Sequence, residues 1–296
     1  MHRKTLLGLI GVLGIWLTAG LALPFVNVLD MFTPPQLMAF RGFLTALMAF
    51  IGLRGVIGQV DKYTYLIALT MPFATLGLFE GIRHWGAGPT IIIITATPLV
   101  NLVIGAFLGR RVSVAAVVGL VMVLGGVSLA QRGGQFQWAG FLWTVFGTIM
   151  NGILYEFFAR ALPALQTDSA QEKLRKQLAK CFWACMGMGA LGLVLSVGVS
   201  WAPIAEPSTA LLVFGFVFVG GLLYWLSNLI AFENLPTTEA SVLAQGETPA
   251  VIVGAAIMLG EHLALVQWVG VVIALYGAWY LSRWLSKQAI QEQQVV

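Results

Sequence analysis

From Thr90 to Leu108 the chain runs nineteen residues without one charged side chain. A helix needs about 20 mostly apolar residues to cross the ~30 Å hydrocarbon core of a bilayer, and comparable stretches recur along all 296 residues. Ten can be placed, near 5–28, 35–53, 63–82, 88–109, 113–131, 138–160, 179–201, 209–232, 238–259 and 263–284. Turn-forming or charged segments punctuate them, among them Asp30 to Pro35, Arg54 to Lys62, Gly133–Gly134, Ala202 to Pro207 and Asn234–Leu235–Pro236. Strands of a membrane β-barrel alternate in polarity over about ten residues, which these unbroken runs do not. Only 9% of residues are charged, against about 25% in soluble domains, so there is too little polar surface for a water-facing shell. A cytosolic enzyme, a secreted disulfide scaffold and a disordered chain are excluded. The expectation is an all-α polytopic membrane protein of ten transmembrane helices.

Positive charge orients the spans, because Lys and Arg concentrate in cytoplasmic loops. With the N-terminus inside, Arg3, Lys4, Arg54, Lys62, Arg110, Arg111, Arg160, Lys173, Arg175, Lys176, Lys180, Arg283 and Lys287 fall inside. Arg83 and Arg132 fall outside, and Arg41 lies within a span. Thirteen against two requires an even span count and an N-in/C-in topology. The opening apolar run continues to about Val28, long for a signal peptide, whose removal would break the alternation. The basic connection at about 161–178 reads as an ordinary positive-inside loop, with an anionic-lipid or nucleic-acid site as the alternative; no nucleic-acid partner is expected.

The chain also repeats itself. At an offset of 151, Thr97 to Gly126 lies over Thr248 to Gly277 with ten of thirty pairs identical, Thr97/Thr248, Pro98/Pro249, Gly109/Gly260, Gly119/Gly270 and Gly126/Gly277 included. Residues 1–132 and 133–296 thus read as two five-helix repeats. Because five is odd, the second enters the membrane from the opposite side. Such inverted-topology repeats are typical of secondary transporters, whose sites lie near the midplane between halves. Trp16 over Trp143 gives an offset of 127, leaving about 24 extra residues (151 minus 127) mostly for the basic loop.

Leu259-Gly260-Glu261-His262-Leu263 followed by Gln267-Trp268-Val269-Gly270 resembles the closing signature of EamA-type proteins of the drug/metabolite transporter superfamily. Glu247-Thr248-Pro249 resembles the Glu-Pro step of their ninth helix, Ala231-Phe232-Glu233-Asn234-Leu235 with Thr238-Glu239-Ala240-Ser241 the segment leading into it, and Arg41 their second-helix arginine. The resemblance covers nearly the whole chain. It implies a ten-helix transporter of the bacterial inner (plasma) membrane that moves small organic molecules, often outward. The chain departs from the pattern at Arg110–Arg111 and in its longer cytoplasmic loop.

Ionisable groups within spans are functional candidates because burying them in lipid is unfavourable by several kcal/mol. Glu247 falls near the centre of the ninth stretch, and Pro249 removes a backbone donor at that depth. A carboxyl group beside freed carbonyls can take up a proton or a cationic group, as a proton-coupled cycle requires, or can be a structural acid bonded to a neighbouring helix. Arg41 and Glu80 fall at similar depth near the outer side, where they can pair as a gate; Arg41 in a fold-holding ion pair and Glu80 with Arg83 are the alternatives. Asn101, Asn151, Asn228 and Gln245 can be ligands or interhelical hydrogen-bond partners. Trp16, Trp143 and Trp225 lie deep enough to line a pocket for an aromatic or cationic substrate, or to pack in the core. Glu156 and Glu239 fall near cytoplasmic ends, where reaching water is easy.

Cys181 and Cys185 read as two apolar residues on one helix face, and three scattered His give no metal cluster. No nucleotide-binding Gly-rich loop or hydrolase motif is present, so neither direct ATP drive nor an enzyme is expected, and no cofactor. The sequence supports a secondary carrier, most simply an exporter of small organic metabolites such as amino acids or drug-like amphiphiles, working by alternating access with coupling to protons. A non-transporting scaffold or sensor and a facilitative channel are the alternatives. Close glycine pairs such as Gly8/Gly11 and Gly105/Gly109 are expected to let helices approach.

Overall fold

The computed structural model describes residues 3–53, 61–107, 114–130, 136–161, 170–234, 246–260 and 264–294. Arg110–Arg111, Gly109, Glu239, Gln245, Glu261–His262 and the 162–169 part of the basic connection lie outside the described residues. Among the described residues every regular element is helical: α1 (Arg3–Ala22), α2 (Phe25–Val28), α3 (Pro34–Gly52), α4 (Lys62–Trp85), α5 (Ala87–Ile94), α6 (Thr97–Phe107), α7 (Val114–Ala130), α8 (Trp138–Ala161), α9 (Ala170–Leu195), α10 (Pro207–Val217), α11 (Tyr224–Asn234), α12 (Glu247–Leu259) and α13 (Leu265–Gln294). Among the described residues, six segments are long and apolar enough to cross a membrane: Leu6–Val28, Pro34–Gly52, Lys62–Trp85, Ala87–Phe107, Arg175–Leu195 and Pro207–Asn228. Val117–Ala130, Glu247–Leu259 and Leu265–Gly277 are shorter apolar helices.

Local chemistry sets the boundaries. Asp61 caps α4, its Oδ1 accepting from the Thr64 backbone N–H and hydroxyl, both at 2.8 Å. At α3, Gln36 Oε1 accepts from the Thr33 N–H at 2.9 Å while its Nε2 donates to the Ser200 carbonyl at 2.8 Å, tying this start to the segment beyond α9. The fourth apolar stretch is interrupted at Thr95–Ala96, where Pro98 cannot donate a backbone bond. Two hydroxyls take up carbonyls there: Thr95 Oγ1 donates to Ile92 at 2.5 Å and Thr97 Oγ1 to Ile94 at 2.7 Å. The eighth stretch carries a π-helical turn, Phe218–Leu223, between α10 and α11.

The basic connection expected at 161–178 is shorter than the sequence suggests, because α9 begins at Ala170. Ala170-Gln171-Glu172-Lys173-Leu174-Arg175-Lys176 consists of strong helix formers, so the helix runs on past the apolar segment. Glu172 and Lys176 pair along it at 3.9 Å.

Helices meet in pairs, α4 along α8, α3 along α9, α7 along α13, and α1 along both α11 and α12. Glycines mark the closest crossings: a Cβ on Gly42 would meet the Gly189 backbone, one on Gly77 that of Gly147, one on Gly11 that of Ala231. Lipid supplies little hydrophobic force between helices, so close backbone packing of this kind holds them. Phe32, Phe79 and Phe216 are the largest fully buried side chains of the central core.

Candidate functional site

Glu247 stands in the first turn of α12 and is half-buried. Its Oε2 accepts from the Tyr224 hydroxyl at 3.4 Å. Tyr224 opens α11 directly after the π-helical turn, and Asn228 Nδ2, one turn on, donates to the Tyr224 carbonyl at 2.8 Å. Across from them, Asn151 Nδ2 on α8 donates to Thr97 Oγ1 at 3.4 Å, beside the α5–α6 interruption. Tyr155, one turn along α8, is near enough to Glu247 and Asn151 to interact with both, and remains 44% exposed. The Trp16 indole of α1 packs against Gly246, immediately before Glu247, leaving no room for a side chain there. Thr248 is buried and Pro249 half-buried. Tyr224 of α11 thus bonds the acid, Trp16 of α1 packs beside it, and Tyr155 of α8 is within electrostatic reach of it.

Asn101 is half-buried, and its Oδ1 is occluded with no hydrogen-bond partner among the described residues. Trp143 meets Phe146 edge-to-face with centroids 6.0 Å apart and packs against the central core. Trp225 packs against Ile67, Met71, Leu154 and Ala184.

The expected Arg41–Glu80 gate is not formed. Glu80 pairs instead with His84, its Oε2 3.5 Å from Nδ1. Arg41 is buried, 8% exposed, with its guanidinium carbon 5.8 Å from the Phe79 ring centroid. Successive residues on a helix point about 100° apart, so with Phe79 fully buried toward Arg41, Glu80 is turned away to the rim. Arg83, the other expected partner of Glu80, donates to four carbonyls, those of Val26 (2.8 Å), Asp30 (2.9 Å), Phe32 (2.9 Å) and Leu29 (3.3 Å). It caps α2 and the turn beyond it.

Cys181 and Cys185 are free and buried, with sulfurs 4.0 Å apart. No group of three potential metal ligands occurs among the described residues. Sequence reasoning missed Tyr224 and Tyr155. The available signal was a phenol inside an apolar stretch, since a buried tyrosine hydroxyl usually has a polar partner.

No family model and no curated protein matches the sequence. Twenty-seven chains of solved structures do match its fold. One of them, described only as the crystal structure of a protein, aligns over 93% of this chain and 97% of its own, with 17% identity and a TM-score of 0.58. At that identity the likeness shows a shared fold spanning nearly all of both chains.

Proposed function

We propose that the protein is a secondary carrier of the EamA type, with ten spans in two inverted five-helix repeats and both termini cytoplasmic. In this reading it exports small organic metabolites, amino acids or drug-like amphiphiles among them, across the bacterial inner membrane by alternating access coupled to protons. The observation that carries the reading is the setting of Glu247: a half-buried acid in the first turn of α12, bonded to Tyr224 of α11, with Trp16 of α1 packed against the preceding Gly246 and Tyr155 of α8 within electrostatic reach. Carriers of inverted-repeat design bind substrate near the midplane, where helices are interrupted, and the α5–α6 break at Thr95–Ala96 is one such interruption.

Two regularities support the repeat. The offset of 151 places Ala96 over Glu247 and Thr97 over Thr248, so the α5–α6 interruption corresponds to the start of α12. The offset also maps Gly126 onto Gly277 and Gly119 onto Gly270. Correspondingly, a Cβ on Gly270 would meet the Gly126 carbonyl, and one on Gly277 the Gly119 carbonyl. That reciprocal pattern is what a two-fold axis between α7 and α13 produces.

The test is to express wild type and Glu247→Gln to equal levels and compare the small molecules appearing in the medium. Export of a metabolite by wild type alone supports the carrier and the role of Glu247. Wild type indistinguishable from an empty-vector control contradicts an exporter.

A further inference from the structure

Burying an ammonium group without a counter-charge is strongly unfavourable. Lys180 of α9 is 7% exposed, yet among the described residues no carboxylate lies within salt-bridge distance and no hydrogen bond reaches it. Asp61, the acid at the start of neighbouring α4, is engaged elsewhere: its Oδ1 accepts from the Thr64 N–H and hydroxyl, both at 2.8 Å. Nor is the Lys180 nitrogen among the side-chain atoms that are both unbonded and sealed from the surface. The ammonium therefore opens outward, with its counter-charge still to be supplied.

The surroundings of Lys180 are ordered along the two helices. α4 and α9 cross where a Cβ on Gly187 would meet the Ala68 carbonyl. Toward their N-termini, Tyr65 and Trp183 pair with ring centroids 6.2 Å apart. Three residues further stand Lys62 and Lys180, and Lys176 precedes Lys180 by four residues on the same face. Lys62 is exposed and Lys176 half-buried. In the other direction, Leu69 is 62% exposed and follows Tyr65 on its face of α4. The seam thus runs from amines through aromatic rings to an aliphatic side chain. A phospholipid has the same order, with the phosphate outermost, the glycerol at the level where aromatic rings gather, and acyl chains beyond. The topology proposed above puts this end of both helices at the cytoplasmic leaflet.

We propose that the α4–α9 seam binds an anionic phospholipid, its phosphate seated on Lys180 with Lys62 and Lys176, and an acyl chain lying along Tyr65 and Leu69. Basic niches between membrane helices on the cytoplasmic side take such headgroups. A zwitterionic headgroup brings its own cation and compensates Lys180 poorly. A nucleic acid stays on the aqueous side, whereas Lys180 is buried within the helix pair, one turn from the Trp183 ring. The inference needs the helices to lie in a bilayer and is independent of what the protein carries.

The test uses purified full-length protein in detergent, with thermal stability and bound lipid followed while dioleoylphosphatidylglycerol or dioleoylphosphatidylcholine is added in mixed micelles. Glycerol 3-phosphate and a single-stranded oligonucleotide are run in parallel. The expected result is that phosphatidylglycerol stabilises wild type and binds at least about fivefold more tightly than phosphatidylcholine, the preference that one lysine near an anionic headgroup confers. Glycerol 3-phosphate at the same concentration gives no such effect, because it has no chain to lie on the seam. Lys180→Gln abolishes the preference and Lys180→Arg keeps it. Arg175→Gln also keeps it, since Arg175 is exposed and lies about 100° around α9 from Lys176. If Lys180→Gln fails to fold, the double variant Lys62→Gln/Lys176→Gln at the less buried positions reads the same loss. Equal binding of the two lipids, a preference that survives Lys180→Gln or the double variant, a preference lost equally in Arg175→Gln, full replacement of the lipid by glycerol 3-phosphate, or its displacement by the oligonucleotide each overturns the proposal.

Discussion

The Tyr224 hydroxyl donates to Glu247 Oε2 at 3.4 Å, joining the start of α11 to the first turn of α12. Tyr224 emerges from a π-helical turn whose Gly221 lies against Thr45 Oγ1 and whose Gly220 faces Ala22. Glu247 follows Gly246, against which Trp16 is packed. π-turns of this kind occur often at functional sites, and here one aims a phenol at the acid.

Removing that hydroxyl is the mildest way to perturb the site. A typical intramolecular hydrogen bond contributes about 0.5–1.5 kcal/mol, so Tyr224→Phe should weaken substrate binding by up to about tenfold at unchanged expression. Ile67→Ala, which removes a fully buried core side chain, should lose stability and not affinity. Saturation binding beside a melting curve separates the two.

Close helix crossings should tolerate no side chain. A Cβ on Gly42 meets the Gly189 backbone and the Cys185 carbonyl, whereas one on Gly215 meets nothing within 4 Å. Overpacking costs about 1–3 kcal/mol, occasionally more. Gly42→Leu should therefore lower the melting temperature markedly or prevent recovery of folded protein, while Gly215→Ala leaves both unchanged.

Arg83 predicts a third difference. Its guanidinium serves four carbonyls around the α2 turn. Arg83→Ala should destabilise the fold by about 2–3 kcal/mol, from the loss of charged hydrogen bonds. Arg83→Lys should recover a part, because one ammonium cannot reproduce the fork. Thermal unfolding in detergent checks the order wild type, Lys, Ala.

Topology can be read directly. Reporter fusions after Arg132 and after Arg160 should place the first outside and the second in the cytoplasm if the ten-span, N-in arrangement is right. Cys181 and Cys185 are buried, so maleimide should label neither in the native protein and both after denaturation. Matching sides for the two fusions would contradict the arrangement.

The helical, membrane-embedded character was legible in the sequence because apolar runs such as Thr90 to Leu108 admit few other structures. The interruption at Thr95–Ala96 was less so: Pro98 signals a disturbance, but which carbonyls the neighbouring threonines take up depends on rotamers. Glu247 stood out as an acid in an apolar stretch. Its partner did not, because Tyr224 lies 23 residues earlier and is brought in by helix packing. The Arg41–Glu80 pairing went wrong for a related reason. Similar depth along two helices says nothing about angle around them, and Phe79, not Glu80, takes the face toward Arg41.

Glu247 and its Tyr224 partner form the proposed carrier site. The most direct measurement is counterflow in proteoliposomes, using a metabolite exported by wild-type cells, with and without an imposed pH gradient. Wild type should show saturable uptake accelerated by substrate on the opposite side and driven by the gradient, and Glu247→Gln should lose the dependence on the gradient. Wild-type protein that shows no accelerated exchange, or Glu247→Gln that responds to the gradient as wild type does, would contradict it.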